Sequence, residues 1–163
     1  MTPTLRPYLP ADFDTVSLIY VDSIAELTED DYTESQRAAW IAQSQDEDAF
    51  AAQMEAALTI IAEFDGAAVG FATLKDNKTI VMLYVHPEHV RLKVGTTLVD
   101  ALERIAAGRG VKEITIDSSD TAEPFFKGRG YTARQRNTVQ VDDEWMGNTT
   151  MTRDLSAITV GHA

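Results

Sequence analysis

Arg91, Lys93, Gly95 and Thr96 crowd into one short stretch, Val85-His86-Pro87-Glu88-His89-Val90-Arg91-Leu92-Lys93-Val94-Gly95-Thr96-Thr97-Leu98-Val99. Two cations, a glycine and a run of backbone amides are the groups that hold an anion. The elements on either side must position them. Ile80-Val81-Met82-Leu83-Tyr84-Val85 is apolar at almost every position, which predicts a strand covered on both faces. Beyond the loop, Val94, Leu98, Ala101, Leu102 and Ile105 fall on one helical stripe, and Gly108 and Gly110 supply a stop signal. The first helical turn then points unpaired N–H groups back at the strand end, where they and the helix dipole favour a phosphate.

This strand, loop and helix resemble the GNAT superfamily of acyl-CoA-dependent N-acetyltransferases, whose segment reads Val-x-Pro-x-x-Arg/Gln-x-x-Gly-x-Gly/Ala. Val85, Pro87 and Gly95 match; Val90 stands where Arg or Gln is usual, with Arg91 one place later, and Lys93 replaces the first glycine. A second segment, Ala122-Glu123-Pro124-Phe125-Phe126-Lys127-Gly128-Arg129-Gly130-Tyr131, is similar to the family's Ala-x-x-Phe-Tyr-x-x-x-Gly-Phe helix and turn. Phe126 takes the place where many members carry a tyrosine that protonates the leaving thiolate, and Ser119 stands where asparagine is common. Two segments in this order and at this separation carry the resemblance over nearly the whole chain.

Composition narrows the remaining classes. Acidic residues outnumber basic ones by 26 to 14, so the summed field repels nucleic-acid phosphates. The same charge serves solubility, or attracts a cationic amine to an acidic groove; net charge alone does not separate these. No cysteine is present, which removes disulfides, thiolate metal sites and a cysteine nucleophile. The start lacks the apolar core of a signal peptide and no apolar run reaches a membrane span. The expected location is therefore cytoplasmic, with neither membrane nor nucleic acid as a partner.

Periodicity and turn signals predict an edge strand at Leu5 to Tyr8, a helix opened by Pro10-Ala11-Asp12, and a second helix capped by Thr33 with Gln36 in capping-box position. A third helix is expected from Asp46 to Ala57, then strands Leu58 to Phe64 and Ala68 to Leu74 joined by the hairpin signal Asp65-Gly66. Asp76-Asn77 turns the chain into the central strand. Val111 to Asp117 alternates as another strand. Two antiparallel strands, Tyr131 to Gln140 and Asn148 to Asp154, join around Asp142-Asp143-Glu144. This order is α+β: a mixed, mostly antiparallel central sheet of about six or seven strands flanked by helices, a GNAT-like acyl-CoA N-acyltransferase fold. Residues 1–155 read as one N-acetyltransferase domain and 156–163 as a C-terminal tail. The resemblance further implies that the strands ending at Val85 and Asp117 splay apart to admit a pantetheine arm.

Moving acetyl from a thioester to an amine requires a neutral nitrogen, and deprotonating a lysine-like ammonium at pH 7 costs about 4–5 kcal/mol. Tyr84 and His86 at the end of the central strand, and Glu26, Glu29, Asp30, Asp31 and Tyr32 near the expected acceptor loop, are candidates for that work. The acidic loop reads first as a solvated helix end and only second as a base, and His86 reads equally as a strand cap. The resemblance implies cofactor contacts from Leu83, Val85, Arg91, Lys93, Val94, Gly95, Thr96, Ser119 and Phe126, with backbone amides at Leu83 to Val85 serving the oxyanion if the strand bulges. It also places Tyr32 and Trp40 over the acceptor, where each reads otherwise as core packing. Phe126 cannot donate a proton, so thiolate departure would rely on water, Ser118, Ser119 or the attacking amine. His86-x-x-His89 has no third ligand spaced to complete a metal site, and none is expected. The expected activity is an N-acetyltransferase that uses acetyl-CoA as co-substrate, acting by direct attack in a ternary complex on a small cationic molecule or a protein amine. The alternative is a noncatalytic acyl-CoA sensor or degenerate member. A homodimer is one open oligomeric state.

Overall fold

The computed structural model describes residues 1–158; residues 159–163, most of the expected tail, lie outside the described residues. Turn chemistry sets the first half of the sheet. Strand β1 (Thr4–Pro7) leads through a single 3-10 turn at Pro10–Asp12 into α1 (Phe13–Leu27). Helix α2 (Glu34–Ala42) starts at Thr33, whose hydroxyl accepts from Gln36 N–H while the Gln36 side chain accepts from Thr33 N–H. Both orphan donors of the capping box are thus satisfied. Asp46 caps α3 (Glu47–Glu55) in the same way through Ala49 N–H.

Strands β2 (Leu58–Phe64) and β3 (Ala67–Lys75) meet at Asp65-Gly66, whose φ angles of 52° and 80° are those of a two-residue hairpin turn. Asp76 and Asn77 are likewise left-handed before β4 (Thr79–Val85). After a 3-10 turn at Pro87–His89 come α4 (Val94–Gly108), β5 (Glu113–Ser119), α5 (Glu123–Gly128), β6 (Thr132–Val141) and β7 (Glu144–Asp154). The expectation of α+β with a mixed, mostly antiparallel sheet holds. Seven strands run in the order β1-β2-β3-β4-β5-β7-β6, antiparallel everywhere except between β4 and β5.

One boundary differs from the sequence reading in a way that matters. β7 begins at Glu144 rather than Asn148, because Asp142, at φ 52°, closes a tight turn and Met146 and Gly147 pair with Val139 and Thr138. Gly147 is a poor strand former by itself; the cross-strand ladder overrides that preference.

Two apolar layers sandwich the sheet. On one face Val94, Leu98, Leu102 and Ala106 of α4 pack with Phe126 of α5 on Ile60, Ala72 and Ile114. On the other, Val16, Ile19, Tyr20 and Ile24 of α1 and Phe50 and Met54 of α3 cover Ile61, Phe71 and Met82. Within the first layer Glu103, 2% exposed, accepts from Tyr131, Arg129 and Arg153, so its buried carboxylate is fully paired.

Helix α4 approaches β3 at Gly70, where a Cβ would sit 2.8 Å from Val94 Cγ1 and 3.0 Å from the Tyr84 carbonyl oxygen. Gly70→Ala is therefore expected to destabilise the protein by about 1–3 kcal/mol through overpacking. Thermal unfolding checks this, and an unchanged melting temperature would show that α4 is free to retreat.

Candidate active site

Strands β4 and β5 are paired only at Thr79 with Thr115 and Ile80 with Ile116, and then separate. His86 N–H donates to the Val69 carbonyl, so Val69 and His86 form a hydrogen-bonded pair of the β3–β4 ladder. Alternation along an antiparallel ladder then turns the peptide groups of Leu83 and Val85 the other way, towards the gap left by β5. The bulge in β4 falls at Val81, between the pairs Thr73–Met82 and Leu74–Ile80, two residues earlier than the Leu83–Val85 stretch. Its effect is to shift the alternation so that Leu83 and Val85 share the α4 side with Ile80, while Met82 and Tyr84 share the α1 side.

The gap opens into a cavity of about 340 Å³ that runs from Val90, Gly95 and Phe125 at the start of α4 to Tyr84 and Trp40. A second cavity of about 170 Å³, lined by Tyr32 and Met146 among others, meets the same Trp40, Tyr84, Asp117 and Ser119 from the β6–β7 side. Four residues thus form a junction between two chambers.

Tyr84 is the centre of that junction. Its hydroxyl accepts from Trp40 Nε1 at 3.2 Å, and the Trp40 carbonyl accepts from Tyr20 Oη at 2.9 Å. Burial pushes the Tyr84 phenol up to about 12, with the hydrogen bond from Trp40 and the neighbouring Tyr20 hydroxyl pulling the other way. At neutral pH the phenol is protonated. Having accepted from Trp40, it keeps its own proton to donate.

Tyr32 is 6% exposed. Its hydroxyl donates to the Gly147 carbonyl at 2.8 Å and accepts from Asp120 N–H at 2.9 Å, tying β7 to the loop after β5. Its ring stands edge-on to Trp40, with centroids 5.5 Å apart. Only the ring face of Tyr32 is free for a ligand.

The other sequence-derived candidates are dispersed. Glu26 is exposed on α1 and, like Glu29 and Asp30, lines neither cavity, while the Asp31 carboxylate accepts from Thr121 at 2.8 Å. His86 lies at the strand end, where Nδ1 accepts from Glu88 N–H and Nε2 stands 3.8 Å from Asp22 Oδ2. The His86 and His89 rings are 5.5 Å apart, and no group of three His, Cys, Asp or Glu side chains among the described residues is placed for a metal ion. Ser118 is buried and donates to the Ser119 carbonyl; Ser119 Oγ accepts from Ala122 N–H and lines both cavities. Phe126 is fully buried against Phe125 and Tyr131, at the inner wall of the larger cavity.

At the helix start the Val94 side chain is core, so this residue can offer a ligand only its backbone. Gly95 faces the cavity: an added Cβ would find Phe125 at 3.7 Å and Val85 at 3.9 Å, both ordinary contacts. Nothing in the protein itself demands glycine there. Thr96 is half-buried in the same turn, and Arg91 and Lys93 are exposed. Both cations are left-handed, at φ 65° and 63°, which explains why a glycine suits position 93.

Lys93→Gly removes a left-handed penalty of about 1–2 kcal/mol and adds about 0.4–1 kcal/mol of unfolded-chain entropy. A net stabilisation of about 1 kcal/mol, or a melting temperature raised by roughly 2–4 °C, is expected. A lower melting temperature would mean that the Lys93 side chain supports the loop by contacts beyond its backbone.

The residue that sequence reasoning passed over is Asp117. It is the one carboxylate lining both cavities, and its Oδ1 accepts from Thr150 at 2.6 Å. A charged residue alternating with buried Ile114 and Ile116 at the end of a strand was the available signal, but a solvated position reads the same way.

A small α+β domain whose parallel strand pair parts beside a helix N-terminus is the architecture of an acyl-CoA N-acyltransferase. A family model for the acetyltransferase (GNAT) domain matches residues 28–154, and the chain belongs to that family. It is 52% identical to a GCN5-related N-acetyltransferase from Rhodopseudomonas palustris, with a TM-score of 0.93 over 94% of this chain and 96% of that one. The N-acetyltransferase YafP of Escherichia coli K12 is 29% identical over 144 residues, 88% of this chain and 91% of YafP. The PaiA N-acetyltransferase of Thermoplasma acidophilum, solved in complex with coenzyme A, shares the fold at a TM-score of 0.76 and 22% identity, over 94% of this chain and 99% of that one. Among the described residues no helix is long and apolar enough to cross a membrane.

Proposed function

We propose that residues 1–155 act as one N-acetyltransferase domain that moves acetyl from acetyl-CoA to a primary amine by direct attack within a ternary complex. The observation that carries this reading is the meeting of two cavities at Tyr84, one with room for an acyl-CoA arm and one for an acceptor. The residues present suit acetyl-CoA. Val94, Gly95 and Thr96 present first-turn amides and the positive end of a helix to a pyrophosphate, with Arg91 and Lys93 as nearby cations. Leu83 and Val85 direct peptide groups into the gap, as an extended amide-bearing arm requires. Phe125 and Phe126 supply apolar wall.

At the junction Tyr84 donates its proton towards negative charge developing at the acyl oxygen or sulfur. A thiol near pKa 8.5 set against a phenol at about 12 makes outright proton transfer cost about 5 kcal/mol. Tyr84 therefore acts by hydrogen bonding, and the attacking amine's own proton neutralises the departing thiolate. Ser119, whose hydroxyl proton is not committed to the chain, is the second donor within reach of both chambers. Phe126 in the tyrosine position favours a second reading, an acyl-CoA sensor without turnover.

Calorimetry and melting separate these. Acetyl-CoA at 100 times its Kd adds about 2.7 kcal/mol to stability, a rise of roughly 5–10 °C, whereas ATP and NAD leave the melting temperature unchanged. Equal shifts with all three would refute the proposal. Binding without thiol release across a broad amine panel would establish the sensor.

A further inference from the structure

The smaller cavity carries information about the acceptor itself. On the reading just proposed, the amine must reach the junction through it. At about 170 Å³ it matches the size of a space that takes one benzene ring. Its outer wall, Val139, Val141 and Met146, is aliphatic, and the rings of Tyr32 and Trp40 close the other side. The hydroxyl of Tyr32 and the indole N–H of Trp40 are both spent within the protein. What faces a ligand here is therefore mostly apolar surface.

Among the described residues Asp117 is the sole charged side chain on that lining. The register of β5 on β7 sets it opposite Thr150, whose hydroxyl donates to Asp117 Oδ1 and accepts from Asn137 Nδ2 at 2.8 Å. The carboxylate is thus oriented through one oxygen, leaving Oδ2 to accept from an incoming ammonium. Among the described residues no cation is paired with it. Of the two guanidiniums on β6, Arg134 donates to Thr152 at the bulge, and Arg136 alternates onto the opposite face from Val139 and is bound to Asp120.

We infer that the acceptor is a monoamine with a compact, ring-sized apolar body and no carboxylate, its ammonium held by Asp117 at the junction beside Tyr84. An α-amino acid would set its own carboxylate beside Asp117 with no cation to pair it. A polyamine would push a second ammonium against Val139, Val141 and Met146. Asp117 is itself exposed, so both lose through mismatch at the contact, a carboxylate facing a carboxylate or an ammonium set against apolar wall, and specificity here rests on that mismatch.

The test uses the full chain, acetyl-CoA and three acceptors: 2-phenylethylamine, L-phenylalanine and spermidine, with thiol release as readout. The first is expected to exceed the other two at least tenfold in kcat/KM. Asp117→Asn, which keeps an oxygen for Thr150, is expected to raise KM for 2-phenylethylamine at least tenfold while leaving the acetyl-CoA Kd unchanged. The inference is overturned if phenylalanine or spermidine does as well, if Asp117→Asn leaves KM unaltered, or if acetyl-CoA binds and none of the three is acetylated. Failure of acetyl-CoA to bind would instead remove the acetyltransferase reading on which the inference rests.

Discussion

Gly95→Asp is expected to abolish measurable acetyl-CoA binding in a protein that folds as well as, or better than, the parent. The two effects have opposite signs for separate reasons. Gly95 is the second residue of α4, where an acidic side chain interacts favourably with the helix dipole, by about 0.3–1 kcal/mol. Replacing a helical glycine also recovers backbone entropy. The space over its Cα is open within the protein, with nothing nearer than Phe125 at 3.7 Å. That same space is where the proposed pyrophosphate lies. A carboxylate about 4 Å from a phosphate charge costs about 4 kcal/mol at the effective dielectric of a protein surface, close to three orders of magnitude in Kd. Gly95→Ala, lacking the charge, is expected to fall between, losing affinity only by steric exclusion. Isothermal titration with a parallel melt is the measurement. Affinity within threefold of the parent for both variants would place the phosphate site elsewhere.

Tyr84→Phe is expected to lower kcat about 100-fold while the acetyl-CoA Kd stays within about twofold. The magnitude is that of removing one preorganised donor from developing charge. The hydroxyl sits between Trp40 Nε1 and the two cavities, so its loss also strands the indole N–H. That costs about 1–3 kcal/mol of stability, which a melt reports independently. Because burial lifts the phenol to about 12, Tyr84 stays protonated through pH 10. No fall in rate from its ionisation is expected below that, and the rise of rate with pH should follow the acceptor amine. A Tyr84→Phe enzyme with parental kcat, measured in single turnover where chemistry limits the rate, would leave Tyr84 as a wall of the site only.

Much of this molecule is legible in its sequence, where local chemistry decides the outcome. Asp65-Gly66 and Asp76-Asn77 adopt left-handed turns because those residue types tolerate positive φ, and Thr33 with Gln36 forms its capping box because both partners lie within one turn. Apolar periodicity places β4 and α4, and the spacing of Val85, Pro87 and Gly95 carries the family resemblance. Residues four or fewer apart need no tertiary structure to find each other.

What lies across the sheet is different. That Tyr84, Trp40, Asp117 and Ser119 meet depends on β4 and β5 parting after Ile80 and Ile116, on a bulge at Val81 that shifts side-chain alternation, and on α2 packing over the gap. Each of these is set by long-range pairing and burial, which no window of sequence contains. The same cause sets Asp117 on both cavities and Glu26 on neither. One acidic residue on a strand and another on a helix look alike as letters, and only the packing of β5 beside β7 brings the first to the junction while the second, on α1, lines neither cavity.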